Sequence, residues 1–280
     1  MEEFKEAFVK GNMFACGLSV DYGPSNLVVK PGDAAKQGDG TPVAQSVLIA
    51  PEEFAKKQAL ATGIPVGKRF NSAQVLCQAG ARPWQFQERL PADGRFRVVL
   101  FAGDVLAPAQ KARIDAFCAR LDAPDSFLHR TRPGNERVGN LVEVLTIHAS
   151  KRWDTELLRD FPAVLHPYSP KTGWAYDKVY VDDESYHEGF GDAYTKYGVD
   201  RTRGCVVIVR PDQYVAWVGE LEDFDQMQAY FAGCLKLEPY LNGHAVAAKV
   251  SNGNSVNAEA HAINGGSANG TATNGVSLAL

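Results

Sequence analysis

Paired-cysteine motifs, dinucleotide fingerprints and membrane spans are all missing from this sequence of 280 residues. Its five cysteines, Cys16, Cys77, Cys118, Cys205 and Cys234, are odd in number and widely spaced. No Cys-x-x-Cys pair occurs, so the signatures of a zinc site or a dithiol redox centre are lacking. No Gly-x-Gly-x-x-Gly occurs either, the feature that seats a pyrophosphate on a helix N-terminus. The Gly-x-Ser-x-Gly elbow of serine hydrolases is also absent. No stretch approaches the roughly 20 apolar residues that a spanning helix needs. Positive charge is not in excess: 29 Lys and Arg stand against 33 Asp and Glu, a formal net charge of -4. That balance argues against a protein whose main task is gripping a phosphate backbone. The opening Met1-Glu2-Glu3-Phe4-Lys5-Glu6 is charged and has no basic segment followed by an apolar run, unlike a secretory signal. The expectation is a cytoplasmic protein that engages neither nucleic acid nor membrane.

What is present is ordinary for a globular chain: 45% hydrophobic and 22% charged residues. A chain of this length buries a sizeable core without disulfides or metals. Cys118, Cys205 and Cys234 sit among apolar neighbours and are expected to be reduced, buried thiols.

Composition divides the chain in three. Residues 242–280 contain five Asn-Gly pairs and no aromatic residue. Such a segment buries too little apolar surface to offset its ordering entropy, so a disordered low-complexity tail is expected. Within it, Asn269-Gly270-Thr271 matches a glycosylation acceptor, which is idle without a secretory signal. Lys30 to Pro42, rich in Gly, Asp and Lys, reads as a long surface loop. Residues 1–90 are read as an N-terminal helix and an extended lead-in, and 91–241 as the folded domain.

Hydrophobic spacing supplies the elements. Glu2 to Gly11 reads as a short amphipathic helix with Phe4, Ala7 and Phe8 on one face and Gly11 as its stop. Phe96 to Ala102 is a buried strand, and Pro108 to Leu121 a helix with Ile114, Phe117, Cys118 and Leu121 at helical spacing. Leu141 to His148 is a strand, Trp153 to Phe161 a short helix, and Lys178 to Asp182 a strand. Gly189 to Tyr197 reads as a helix stopped by Gly198. Cys205 to Arg210 and Tyr214 to Val218 form a hairpin around Pro211-Asp212-Gln213. Asp223, as N-cap, opens a closing helix that runs to Leu235. From Phe96 onward the order is β-α-β-α-β-α-β-β-α, that of an α/β thioredoxin-like fold with a mixed sheet flanked by helices.

Several blocks then point to a family. Tyr197-Gly198-Val199-Asp200 precedes Gly204-Cys205-Val206-Val207-Ile208-Val209-Arg210-Pro211-Asp212-Gln213-Tyr214-Val215-Ala216-Trp217. Upstream lie Phe14-Ala15-Cys16-Gly17 with Asp21-Tyr22-Gly23-Pro24-Ser25, Lys68-Arg69-Phe70 ahead of Gln78-Ala79, and Gly94 to Gly103. Taken in this order, from about Glu2 to Leu235, they resemble the C-terminal domain of the phenol hydroxylase family of FAD-dependent aromatic monooxygenases. The resemblance implies a thioredoxin-like domain associated with dimer formation. It also implies that FAD, present in the full-length family, is bound by a separate N-terminal domain. The family's flavin and phenol ligands have no counterpart here, so the chain is expected to bind no cofactor and to carry no catalytic or metal site. It reads as a stand-alone association domain. The alternative is an accessory subunit acting in trans with a flavoprotein in phenol hydroxylation. Its partner is a second copy or a flavoprotein monooxygenase subunit.

Five candidate sites are weighed against structural roles. A thioredoxin-like enzyme places a thiolate where the helix after the first core strand begins. The turn Gly103-Asp104-Val105-Leu106-Ala107-Pro108 has no cysteine, and Cys118 lies some three turns further on. The carboxylates Asp182, Asp183, Glu184, Glu188 and Asp192 with His187 fit no EF-hand spacing and read as an acidic helix entry. Pro31-Gly32-Asp33-Ala34-Ala35 resembles a flavin-contacting Gly-Asp motif but lacks its strand-helix context. Of six histidines, His148 reads as a strand end, His129 and His166 as loop residues, His187 as part of the acidic segment, and His244 and His261 as tail. Arg210 to Trp217 reads as a turn whose aromatics pack and, with its adjoining helix, as the candidate association surface.

Overall fold

A computed structural model describes residues 2–32, 49–131, 141–235 and 237. The expected tail at 242–280, and the expected loop from residue 33 onward, lie outside them.

The first helix, α1 (Glu2–Ala15), runs past Gly11. A glycine in a helix interior is a cost of about 0.5–1 kcal/mol, not a stop, while the chain keeps helical dihedrals. The stop is Gly17, whose φ of 74° is left-handed. There Leu18 N donates to Met13 O and Gly17 N to Phe14 O, the paired bonds of a Schellman motif. The second helix, α2 (Pro51–Gln58), opens on proline, with Glu52 and Glu53 in its first turn and Lys56 and Lys57 in its last, each matched to the helix dipole.

Two short strands unmarked by any periodicity follow: β1 (Gln74–Cys77) and β2 (Pro83–Gln85). The long buried strand β3 (Phe96–Gly103) leads into α3 (Pro108–Leu121), as the sequence predicts. Then come α4 (Phe127–Arg130), β4 (Val142–His148), the single-turn α5 (Leu157–Asp160), a small hairpin of β5 (Tyr168–Ser169) and β6 (Gly173–Trp174), and β7 (Val179–Val181). The chain continues through α6 (Ala193–Tyr197), β8 (Cys205–Val209), β9 (Val215–Gly219) and α7 (Phe224–Cys234).

Seven strands form one mixed sheet in the order β2-β1-β7-β4-β3-β8-β9. β4 runs parallel to β3 and β7, whereas β8 runs antiparallel to β3 and to β9. The run β4-β3-β8-β9 with α7 closing it is the strand order of the thioredoxin-like fold. Both faces of the sheet are covered, so β3 is apolar almost throughout rather than alternating. Val98, Leu100 and Ala102 meet α3 and α7 on one face through Ile114, Phe117, Met227 and Phe231. Val99 and Phe101 meet α6 and the lead-in on the other, through Tyr194, Tyr197, Ile64 and Phe70. The lead-in thus supplies two strands and a core layer to the same sheet.

Three further expected elements differ. Trp153 to Phe161 is broken into a 3-10 turn at Arg152–Asp154 and α5. Thr155 Oγ1 donates back to the carbonyls of Lys151 and Arg152, competing with a continuous helix. The helix expected from Gly189 starts only at Ala193, because Gly189, Phe190 and Gly191 all have positive φ. Gly198 ends it at φ 62°, as expected. Asp223 stands at the N-cap position of α7 but its side chain makes no cap bond there; it accepts instead from Glu220 N, closing a capping box around the preceding 3-10 turn.

Candidate functional site

The turn after β3 is where this fold places redox chemistry, and here its side chains and several of its amides are tied into structural hydrogen bonds. Gly103 takes φ 68°. Its N–H donates to the Tyr194 hydroxyl at 2.8 Å, and that hydroxyl donates to Ile147 O at 2.8 Å. Tyr194 thereby ties the ends of β3 and β4 together, and burial raises its phenol well above its ordinary pKa. Asp104 Oδ1 accepts from Ser150 Oγ at 2.7 Å and from Leu106 N at 3.1 Å. Ser150 Oγ in turn accepts from Val105 N at 2.8 Å. Ala107 stands at the N-cap of α3, where a nucleophilic thiol would be, and Asp104 lies three residues before it, bound within the turn.

The thiols point the same way. Cys118 faces the core from α3, and burial pushes it up to about 12. Burial also raises Cys205, and it raises Cys234 to about 12. A nucleophilic cysteine needs the opposite shift and an accessible, electropositive setting. Cys234 is half-buried rather than buried, as is Cys77, whose Sγ donates to Tyr176 O at 3.4 Å; Cys16 is exposed.

The acidic segment proves to be a helix entry. Asp182, buried at the end of β7, accepts from Ala193 N at 2.8 Å and Tyr194 N at 3.1 Å, the first amides of α6. Arg201 neutralises it and also donates to Ala149 O at 3.1 Å. Asp183 accepts from Arg152 N, and Asp192 pairs with Lys196. Among the described residues no three His, Cys, Asp or Glu side chains are grouped to hold a metal.

His148 is buried, as its strand position suggests. Its Nε2 lies 2.9 Å from Gln78 Oε1. Gln78 Nε2 donates to the carbonyls of Thr155 and Arg152, so its oxygen accepts and His148 Nε2 carries the proton. Burial lowers the imidazole to about 3, so it is neutral at physiological pH. His166, read as a loop residue, is also buried, with Nε2 2.9 Å from Phe161 O. His129 pairs with Asp122 and His187 rests against Tyr186. Among the described residues none of these histidines meets a serine hydroxyl. His244 and His261 lie outside the described residues, as does Asp33-Ala34-Ala35 of the Gly-Asp motif.

The two aromatics of the expected association surface are packed within the chain, as the turn reading implies. Trp217 and Tyr214 are only 3% and 8% exposed. The chain's own lead-in covers them: Tyr214 donates to Gly17 O at 2.9 Å and meets Tyr22 edge-on at 4.8 Å. Lys57 sits 5.5 Å above the Trp217 ring. Nor is β9 an open edge, since Val29 N donates to Ala216 O and Gly67 N to Val215 O. These contacts span up to 197 residues of sequence, beyond the reach of local turn chemistry.

These features define a mixed α/β domain with thioredoxin strand order and no cysteine in the turn that leads into its α3. The chain belongs to the family described as phenol hydroxylase, C-terminal dimerisation domain, which it matches over residues 20–238. It is 32% identical over 243 residues to the FAD-dependent monooxygenase terD of Aspergillus terreus (strain NIH 2624 / FGSC A1156), covering 86% of this chain and 36% of terD. It is 31% identical over 235 residues to the phenol 2-monooxygenase fsqG of Aspergillus fumigatus, covering 83% of this chain and 34% of fsqG. A 3-hydroxybenzoate 4-monooxygenase of Comamonas testosteroni is 30% identical over 84% of this chain and 33% of its own length. The chain thus spans about a third of the length of these relatives. Among solved structures, a thiol peroxidase from Chromobacterium violaceum aligns with TM-score 0.36 and 11% identity over 60% of this chain and 87% of its own. Aklavinone-11 hydroxylase with FAD and aklavinone aligns with TM-score 0.30 and 15% identity over 77% of this chain and 26% of its own. No helix among the described residues is long and apolar enough to cross a membrane.

Proposed function

We propose that this chain is an association module of FAD-dependent aromatic hydroxylation, self-associating as a homodimer and binding no flavin of its own. The observation that carries this reading is the redox turn: Asp104 is bound to Ser150 and Leu106, and the family match names a dimerisation domain. The turn from Gly103 to Pro108 has no cysteine to serve as a thioredoxin-type nucleophile, and its bonded side chains suit a scaffold. Light scattering over a dilution series, combined with FAD reconstitution and desalting, tests it. A colourless dimer is the expected result. A stoichiometrically yellow protein, or a strict monomer at high concentration, overturns it.

A second reading is favoured by the relatives' descriptions as FAD-dependent and phenol monooxygenases. In it, the chain acts in trans as an accessory subunit to a flavoprotein in phenol hydroxylation. Restoration of phenol hydroxylation when the chain is added to a flavoprotein lacking this domain supports that reading, and no change in rate overturns it.

A further inference from the structure

Helix α1 has an apolar face that the rest of the described chain leaves bare. Phe4, Phe8 and Phe14 are 75%, 61% and 74% exposed. Ala7, Gly11 and Ala15 complete the same side, and at 3.6 residues per turn the six positions span an arc of about 120°. Phe4 and Phe8 stack with centroids 6.4 Å apart. Every described side chain from Phe4 to Ala15 is exposed, so α1 draws no support from the core. A helix of this length, standing alone in water, is marginal. Gly11 weakens it further, yet a Cβ at Gly11 would meet nothing within 4 Å in this chain. Its smallness serves no packing among the described residues, and in the middle of an aromatic stripe it opens a notch for an outside surface. Clustered exposed aromatics of this kind mark an interaction site. The far end of α1 is held: Arg69 Nη1 donates to Cys16 O at 2.9 Å and Tyr214 to Gly17 O.

The occupant follows from where α1 lies. The family match begins at residue 20, so α1 stands ahead of the dimerisation domain. That domain is C-terminal in its family, and it accounts for 36% of terD, so most of such a relative lies on the side of the domain where α1 sits. We propose that the Phe4–Phe8–Phe14 face of α1 is the seat of the flavin-binding portion of an FAD-dependent monooxygenase. The inference rests on the reading that the chain serves such a flavoprotein. Aromatic side chains on a rigid helix would enter an apolar groove of that portion, and Gly11 would let the two backbones approach.

Hydrogen exchange tests it on two proteins: the full chain alone, and a chimera in which this chain replaces the matched C-terminal part of terD. In the chain alone, the α1 amides are expected to exchange unprotected at every concentration. In the FAD-loaded chimera they are expected to slow at least tenfold. Phe4→Ala, Phe8→Ala and Phe14→Ala together should restore fast exchange while FAD stays bound. Alanine raises helix propensity, so faster exchange cannot come from a weaker helix. If the chimera does not load FAD, the flavin-binding portion of terD, itself FAD-loaded, is added in excess to the full chain and the same comparison made. Unprotected α1 beside a loaded flavoprotein overturns the inference. Protection in the chain alone that rises with its concentration assigns the face to a second copy and overturns it. Protection by phosphatidylglycerol vesicles assigns it to a lipid surface, with the same consequence. The association reading is tested apart from this, by scattering of the unmodified chain, so either can fail alone.

Discussion

Arg97 and Glu143 occupy matched positions on the adjacent parallel strands β3 and β4, and Arg97 Nε donates to Glu143 Oε2 at 2.8 Å with both side chains withdrawn from water. Around them stand three further charges. Asp93 accepts from Arg97 at 2.6 and 2.8 Å, and Arg95 and Lys178 both reach Glu143. Burial alone would raise the Asp93 carboxyl, but hydrogen bonds from Arg97 and Arg95 hold it well below the usual carboxylate range.

Glu143→Gln is therefore expected to cost about 3–5 kcal/mol, because it strips the shared anion from three cations, one of them buried. Replacing Arg97 and Glu143 together by Leu should cost less than the sum of the single changes. Urea unfolding of Glu143→Gln, Arg97→Leu, Glu143→Leu and the double Leu variant checks both outcomes; additive costs would mean the pair is not coupled.

His148 sets a pH dependence. Its folded pKa is lowered to about 3 by burial, from 6.5 for the exposed group. Above 6.5 neither state binds the proton. Between 6.5 and 3 only the unfolded state does, so stability falls as the solution is acidified through that window. Between pH 6.5 and 5 the loss attributable to His148 is expected to be about 2 kcal/mol. His148→Asn should flatten that part of the profile, read from urea midpoints at each pH. A slope common to both proteins would assign the effect to other groups.

The hairpin aromatics should behave as core residues. Trp217→Ala is expected to destabilise by about 3–5 kcal/mol. Tyr214→Phe, which loses only the bond to Gly17 O, should cost about 1 kcal/mol. Neither is expected to change the oligomeric state of the folded fraction. A variant that keeps its melting temperature but scatters as a smaller species would place the association surface back on this hairpin.

Thiol reactivity should rank by exposure. A disulfide-exchange reagent is expected to label Cys16 fast, Cys77 and Cys234 more slowly, and Cys118 and Cys205 only in denaturant. Replacing all five by Ser or Ala should leave no redox activity to lose, at some cost in stability from the two buried sites. Peroxide or disulfide reductase activity that disappears with one cysteine would restore a redox role.

The sequence by itself determined the parts of this protein whose signals are local. The apolar runs at Phe96 to Ala102 and Cys205 to Val209 are strands because a sheet covered on both faces calls for unbroken hydrophobicity. Pro108 and the spacing of Ile114, Phe117, Cys118 and Leu121 set α3, and Gly198 ends α6 because it alone takes a left-handed φ without strain. The missing cysteine before Pro108 was equally legible. Tertiary structure decided the rest. Gln74 to Cys77 and Pro83 to Gln85 are too short to show a period, and become strands only because β7 offers them a ladder. Asp182 finds the amides of α6, and Tyr194 the end of β3, across 11 to 91 residues of intervening chain. The same distinction separates two aromatic patches that look alike in sequence: Tyr214 and Trp217 are covered by a lead-in almost 200 residues away, while the phenylalanines of α1 meet no such cover among the described residues. Local sequence fixes dihedral preference and the direction of an apolar face; only the folded chain brings, or fails to bring, a second surface to bury it.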